Sequence, residues 1–126
     1  TLHKINSGID TGDIVKQLKF KINLNDTAFD NYKKLMKYSV ILFKKNINNI
    51  LSKKYKLKKQ KLKNGSYFSR KSVNYKLIKI INYIDNSLKT HNKIRSLIFP
   101  PFQLPLVNGM KVKKSIYKNN KIYLYD

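Results

Sequence analysis

Carboxylates are scarce in this chain, yet two of them share one glycine-flanked turn. The stretch runs His3-Lys4-Ile5-Asn6-Ser7-Gly8-Ile9-Asp10-Thr11-Gly12-Asp13-Ile14. A carboxylate held near a histidine is a common pairing for moving protons. Oxygen ligands at alternating positions could instead hold a hard cation, and glycine-rich backbone could cradle phosphate. Asn6, Gly8 and Asp10 do alternate, but no bidentate glutamate closes the loop, and Gln17 stands near where one would fall. The glycines form neither GxGxxG nor a Walker pattern, and a strand rather than a helix is expected after them. Two readings stay open on the residues alone. One is a plain hairpin turn using Asn, Gly and Asp for their backbone conformations; the other is a proton-handling edge of a site.

The elements that must position this turn follow from apolar spacing. Leu2 and Ile5 predict a short strand over Thr1 to Ile5. After the turn, Ile14, Val15, Leu18, Phe20 and Ile22 predict a second strand, with Leu18, Phe20 and Ile22 alternating against Lys19 and Lys21. Asp26 suits a helix N-cap. Phe29, Tyr32, Leu35, Met36, Val40, Phe43, Ile47, Ile50 and Leu51 then recur at helical spacing, which predicts a long amphipathic helix over residues 27–52. Lys53 to Lys63 (KKYKLKKQKLK) reads as a solvated connector or a phosphate-facing strip, and Asn64-Gly65 as a turn. The apolar segment Tyr75 to Ile84 suits a short helix. Thr90 or Asn92 could cap another, running through Ile98 and ended by Pro100-Pro101. Val107 to Tyr117 and Lys121 to Tyr125 predict two strands joined at Lys118-Asn119-Asn120, where asparagine tolerates the left-handed backbone of a tight hairpin.

Composition narrows the function classes. The 126 residues suffice for one domain with a modest core. There is no cysteine, so disulfides and thiolate metal sites are excluded, and two histidines, His3 and His91, cannot alone make a histidine metal site. No apolar run approaches the roughly 20 residues of a transmembrane helix, and no signal-peptide pattern is visible. The chain lacks an initiator methionine and starts inside a predicted strand, so it is expected to be a fragment of a longer protein. The net charge of +22 suggests a polyanionic partner. Yet only Arg70 and Arg95 are arginine, and Lys, Asn, Ile and Tyr are enriched together, as A/T-rich codons would produce. Nucleic-acid readers lean on arginine for bidentate contacts, so genome composition competes with function as the source of this charge.

The specific letters of the opening turn add a resemblance. The segment LHKINSGIDTGDIV is similar to the hairpin of the 10-formyltetrahydrofolate-dependent formyltransferases, a family that includes glycinamide ribonucleotide, methionyl-tRNA and nucleotide-sugar formyltransferases. Its pattern is a strand-end histidine, a loop reaching Asp-x-Gly, then an Ile/Val-rich strand. The continuation KQLKFKINLNDTAFDNYKKL resembles the family's strand, Asp-Thr cap and long helix, so the match covers residues 1–52. Further on, GSYFSRK (Gly65 to Lys71) resembles the aromatic-Arg-Lys stretch after that helix. NKIRSLIFPPFQLPLVNGMKV (Asn92 to Val112) resembles a segment of the nucleotide-sugar N-formyltransferases that borders the sugar-nucleotide site. Ser96 replaces the usual alanine there, and Gln103-Leu104-Pro105 replaces the commoner Gly-Ala.

This resemblance implies an α/β fold. Residues 1–52 would be the C-terminal part of a Rossmann-like catalytic domain, a β-hairpin plus a long helix. Residues 53–126 would be a small α+β region ending in a β-hairpin and bordering the sugar-nucleotide site. It implies a sugar N-formyltransferase that moves a formyl group from 10-formyltetrahydrofolate, a cosubstrate, to the amine of a dTDP- or UDP-linked amino-deoxysugar. Asp10 takes the place of the catalytic aspartate, His3 that of the strand-end histidine that organises the site, and Asn6, Ser7, Gly8 and Ile9 that of the loop lining the pterin pocket. Asp13 is assigned a turn or strand-start role. Arg70 and Arg95 would pair with diphosphate oxygens, and Tyr67, Phe68, Phe99 or Phe102 would stack on a base or sugar face. No metal is needed. The family's Asn-x-His oxyanion motif would precede Thr1, so this chain is expected to be inactive alone. A bacterial cytoplasmic enzyme of O-antigen or lipopolysaccharide biosynthesis, possible as a homodimer, is the implied setting. Two rivals remain: a methionyl-tRNA formyltransferase fragment, for which IRSLIFPPF is the wrong continuation, and a non-enzymatic nucleic-acid module binding through Lys53 to Lys63.

Overall fold

The computed structural model describes residues 1–61, 65–82, 84–100 and 102–126. The chain divides into two compact units, residues 1–21 with 34–67 and residues 22–33 with 68–126.

In the first unit, β1 (Leu2–His3) pairs antiparallel with β2 (Ile14–Lys16), joining Leu2 to Lys16 and His3 to Ile14 across an irregular register. The predicted second strand is thus shorter than its alternating pattern. Leu18, Phe20 and Ile22 join no ladder; Phe20 instead stacks flat on Tyr38 of the long helix, with ring centroids 5.2 Å apart. A period-two pattern needs a partner strand to become a ladder, and here an aromatic face takes that place. The lysine-rich run is no free connector throughout, because Ile14 and Lys58 exchange both backbone N–H···O bonds, at 2.8 and 2.9 Å.

The long helix α1 spans Ala28–Leu51, within a residue of its expected ends. Its N-terminal cap is Thr27 with Asp30, not Asp26. The Thr27 hydroxyl accepts from the Asp30 N–H at 3.1 Å, and the Asp30 carboxylate takes both the Thr27 N–H and its hydroxyl. Each end satisfies the other's orphan groups, as in a capping box. The Asp26 carboxylate turns back to accept from the Asn23 N–H. Burial works to raise the Asp30 pKa, but the Thr27 hydrogen bonds and the Lys33 charge outweigh it and hold that carboxyl below its ordinary value.

The second unit builds its core from short pieces. Helix α2 (Tyr75–Ile78), capped by Asn74, is cut short at Lys79, and β3 (Ile80–Ile81) follows where a single short helix was expected. β3 pairs parallel with β4 (Leu106–Val107), which turns antiparallel into β5 (Met110–Lys111). Helix α3 spans Leu88–Leu97. Its cap is Ser87, whose hydroxyl accepts from the Thr90 N–H at 3.0 Å, rather than Thr90 or Asn92. Hydrogen bonds from Thr90 and Ser87 hold the Asp85 carboxyl down to about 2. The last hairpin is β6 (Lys114–Lys118) with β7 (Lys121–Tyr125). Asn119 and Asn120 both take positive φ, 51° and 57°, which is the left-handed pair a tight hairpin requires. Ile81, Ile94, Leu97, Ile98, Val107 and Val112 form the buried cluster under these elements.

Candidate functional site

The hairpin turn of the first unit is held from inside and outside. Lys4 donates its N–H to the Asp13 carbonyl at 2.9 Å, closing the base. Asn6 organises the tip, its side-chain oxygen accepting from the Gly8 N–H at 3.1 Å and the Thr11 hydroxyl at 2.9 Å. That is an Asx turn, the reason asparagine suits the position. Gly12 is buried against the opposite strand, and a Cβ there would run into the Lys4 carbonyl. A Cβ on Gly8 would likewise strike the Thr11 hydroxyl. The glycines therefore serve close approach within the turn.

Asp10 sits at the crest with φ of 53°, in the left-handed region that costs a non-glycine residue on the order of 1 kcal/mol and that aspartate tolerates better than most. Its carboxylate is 86% exposed and lies 3.6 Å from His3 Nε2. His3 sits at the end of β1, and its Nδ1 lies 2.9 Å from the Lys4 carbonyl. A carbonyl oxygen only accepts, so Nδ1 carries the hydrogen. In the neutral ring Nε2 is then the lone-pair nitrogen, and in the imidazolium it donates toward Asp10. A cavity of about 280 Å³ opens here, and His3, Ile5, Asn6, Gly8, Ile9 and Asp10 are among the residues that line it. Ser7 and Ile9 are exposed on the same turn. His3, Asn6, Ser7, Gly8, Ile9 and Asp10 are thus brought together around one carboxylate.

Of the residues expected to meet the sugar nucleotide, Phe99 and Phe102 lie together, with ring centroids 5.7 Å apart. Tyr67 ends the first unit and is exposed. Arg70 opens a 3-10 turn, and its side chain lies outside the described residues. In the second unit Arg95 donates to Asn92 Oδ1 and to the Asp26 carbonyl, both at 2.7 Å, tying α3 to the segment before α1. Phe99 packs edge-on against Phe29 and Tyr32, at 5.5 and 5.3 Å. Phe68 is exposed. Phe102, 82% exposed, lines a cavity of about 300 Å³ with Lys79, Leu104, Leu106 and Lys111. Among the described residues, no group of His, Cys, Asp and Glu could hold a metal ion, and no helix is long and apolar enough to cross a membrane.

Two further residues have contacts that the sequence did not announce. Gln60 crosses to the hairpin and donates its side-chain amide to the Asp10 and Gly12 carbonyls. The only signal was an amide interrupting a lysine run. His91 is wholly buried, with Nδ1 2.9 Å from Ser115 Oγ and Nε2 3.0 Å from the Leu24 carbonyl. Burial, with the Arg95 charge adding to it, lowers the His91 pKa despite the Leu24 hydrogen bond.

No family model and no curated protein matches the chain. Solved structures do. A sugar 3-N-formyltransferase, WlaRD, crystallised with dTDP and 5-N-formyltetrahydrofolate, is 47% identical over 93% of this chain, with a TM-score of 0.84. An N-formyltransferase from Helicobacter canadensis, in complex with folinic acid and dTDP-3-aminofucose, is 44% identical over 93%, with a TM-score of 0.83. A 4-N-formyltransferase from Francisella tularensis is 25% identical over 98%, with a TM-score of 0.69. The chain spans 42%, 43% and 47% of the lengths of these three proteins. The family resemblance carried by the Asp10 hairpin, the long helix and the proline-aromatic segment is therefore borne out: over nearly all its length, this chain matches less than half of a sugar N-formyltransferase.

Proposed function

We propose that this chain is part of a sugar N-formyltransferase that formylates the amine of a dTDP-linked amino-deoxysugar. The observation that carries the reading is the 47% identity, with a TM-score of 0.84, to a sugar 3-N-formyltransferase across 93% of the chain. A 3-amino sugar is favoured, because the 3-N enzyme and the dTDP-3-aminofucose complex are both far more similar than the 4-N enzyme. In this reading residues 1–52 are the C-terminal part of the Rossmann-like catalytic domain, and residues 53–126 border the sugar-nucleotide site. The methionyl-tRNA and nucleic-acid alternatives gain nothing from these matches.

The turn suits one flank of a folate site. Ile5 and Ile9 leave large apolar surface exposed beside the Asp10 carboxylate, which a flat ring would cover. Bound 10-formyltetrahydrofolate would supply the formyl group. The attacking amine becomes cationic as it bonds to the formyl carbon and must then shed a proton. Asp10, exposed and next to His3, is placed to hold a water and take that proton toward the leaving nitrogen. His3, with Nδ1–H given to the Lys4 carbonyl, keeps Nε2 turned to Asp10, and as the imidazolium it would hold the carboxylate. Asn6 shapes the loop from Ser7 to Ile9 whose backbone would face the pterin. In the second unit, Phe102 offers a stacking face, with Lys79 and Lys111 beside it for diphosphate charge. Arg95 and Phe99 would act there mainly by shaping the surface.

The test is formyl transfer by the full-length protein, with 10-formyltetrahydrofolate and dTDP-3-amino- or dTDP-4-amino-deoxysugars. Mass gain of one formyl group on the 3-amino sugar is expected. Transfer to neither sugar overturns the proposal.

A further inference from the structure

Resting on the reading of Asp10 as the proton-handling group, we propose that Gln60 is a positioning residue whose side-chain amide holds the backbone around Asp10 and so aims its carboxylate. Gln60 Nε2 lies 2.9 Å from the Asp10 carbonyl and 2.6 Å from the Gly12 carbonyl. Both partners can only accept, so the nitrogen end of the amide must face them, and each of its two hydrogens serves one carbonyl. The two carbonyls flank Thr11 in the turn, outside the hairpin ladder, which begins with Lys4 bonded to Asp13. Gln60 thus supplies the donors that a strand would supply elsewhere.

The origin of the clamp is fixed as well. Two residues earlier, Lys58 exchanges both backbone hydrogen bonds with Ile14, so Gln60 leaves an anchored backbone. The need for a clamp is visible in Asp10 itself. Its φ of 53° is a conformation an unrestrained aspartate leaves for ordinary basins, and that rotation would carry the carboxylate away from His3 Nε2. A lysine, the residue that surrounds Gln60 in sequence, has a single ammonium point and no planar pair of donors to span two carbonyls.

The experiment compares Gln60→Met and Gln60→Glu with Asp10→Asn in the full-length enzyme, by steady-state kinetics and thermal midpoint. Methionine keeps the length of the side chain without donors; glutamate keeps its shape but turns acceptors toward two carbonyls. A fall of about 10-fold to 100-fold in kcat is expected for both Gln60 variants, the size of loss that small misplacements of a catalytic group cause. KM for both substrates should stay within a few-fold and the midpoint within a few degrees. Unchanged kcat in a folded Gln60 variant overturns the inference, and so does a loss of kcat, KM and midpoint together, which marks a merely structural residue. Should Gln60→Met not fold, Gln60→Glu decides alone by the same criteria. Normal turnover by Asp10→Asn instead removes the reading of Asp10 on which the inference rests, whatever Gln60 does; an inactive Asp10→Asn beside a normal Gln60→Met removes only the inference.

Discussion

The two histidines of this chain occupy opposite kinds of place. His91 is sealed in the second unit, with Ser115 on one ring nitrogen, the Leu24 carbonyl on the other and Tyr117 tilted against its face at 5.5 Å. His3 lies at the end of a two-residue strand, with one nitrogen given to a backbone carbonyl and the other turned toward an exposed carboxylate. A buried polar side chain whose hydrogen bonds are all made inside the protein stabilises one arrangement and has nothing left for a substrate. One with an open partner can do chemistry. In this chain the difference separates a structural hub from a candidate site, although both residues are the same letter.

Substitutions at each place should separate these roles. The largest effect on stability is expected from His91→Ala, which empties a buried volume and leaves the Ser115 hydroxyl and Leu24 carbonyl without their partner. A loss of about 3 kcal/mol by denaturant unfolding is expected, and a loss under 0.5 kcal/mol would remove the hub role. Gly12→Ala comes next, at about 2 kcal/mol, because its Cβ must push apart the hairpin strands at Lys4. It should also lower turnover, coupling the backbone of the turn to Asp10.

Acid should act on the His91 side of the comparison. The folded protein holds His91 below its ordinary value near 6.5, so the unfolded chain binds the proton first. Stability from this group is complete above about 6.5 and is lost as pH falls from there toward the lower folded value. The thermal midpoint should therefore drop between neutral pH and pH about 5, and this component of the drop should vanish in a His91→Gln variant. An equal drop with and without His91 would contradict the assignment. The smallest effect is expected from Thr27→Ala, which removes the capping hydroxyl of α1 at a cost of about 1 kcal/mol and leaves turnover nearly unchanged.

The sequence showed most where a pattern was long and local. Nine apolar residues at helical spacing place α1 almost to the residue, and the Asn119-Asn120 pair announces the final turn because few residues accept two left-handed positions in a row. The two capping misses share one cause, which is that several residues nearby could do the same job. Asp26 and Thr27 can both cap a helix, and only the reciprocal bonds to Asp30 choose Thr27. Ser87, Thr90 and Asn92 offer the same ambiguity for α3, settled by Ser87. Leu18, Phe20 and Ile22 carry a strand's alternation but pair with no strand among the described residues, and Tyr38 meets Phe20 instead. Of the candidate site, the grouping of His3 and Asn6 with Asp10 was legible because all are close in the chain. Gln60 was not, because its hydrogen bond to Asp10 joins residues 50 positions apart. His91, read only as too few histidines for a metal, was silent for the same reason, with Ser115 24 positions away.

The central claim is that Asp10, not the turn as such, handles the proton of formyl transfer. The most direct measurement is kcat for the Asp10→Asn variant of the full-length enzyme, taken together with its affinities for formyl-folate and the dTDP-amino sugar. The expected result is a fall in kcat of at least about 100-fold with both affinities within a few-fold of the unsubstituted protein. Turnover at the unsubstituted rate would contradict it.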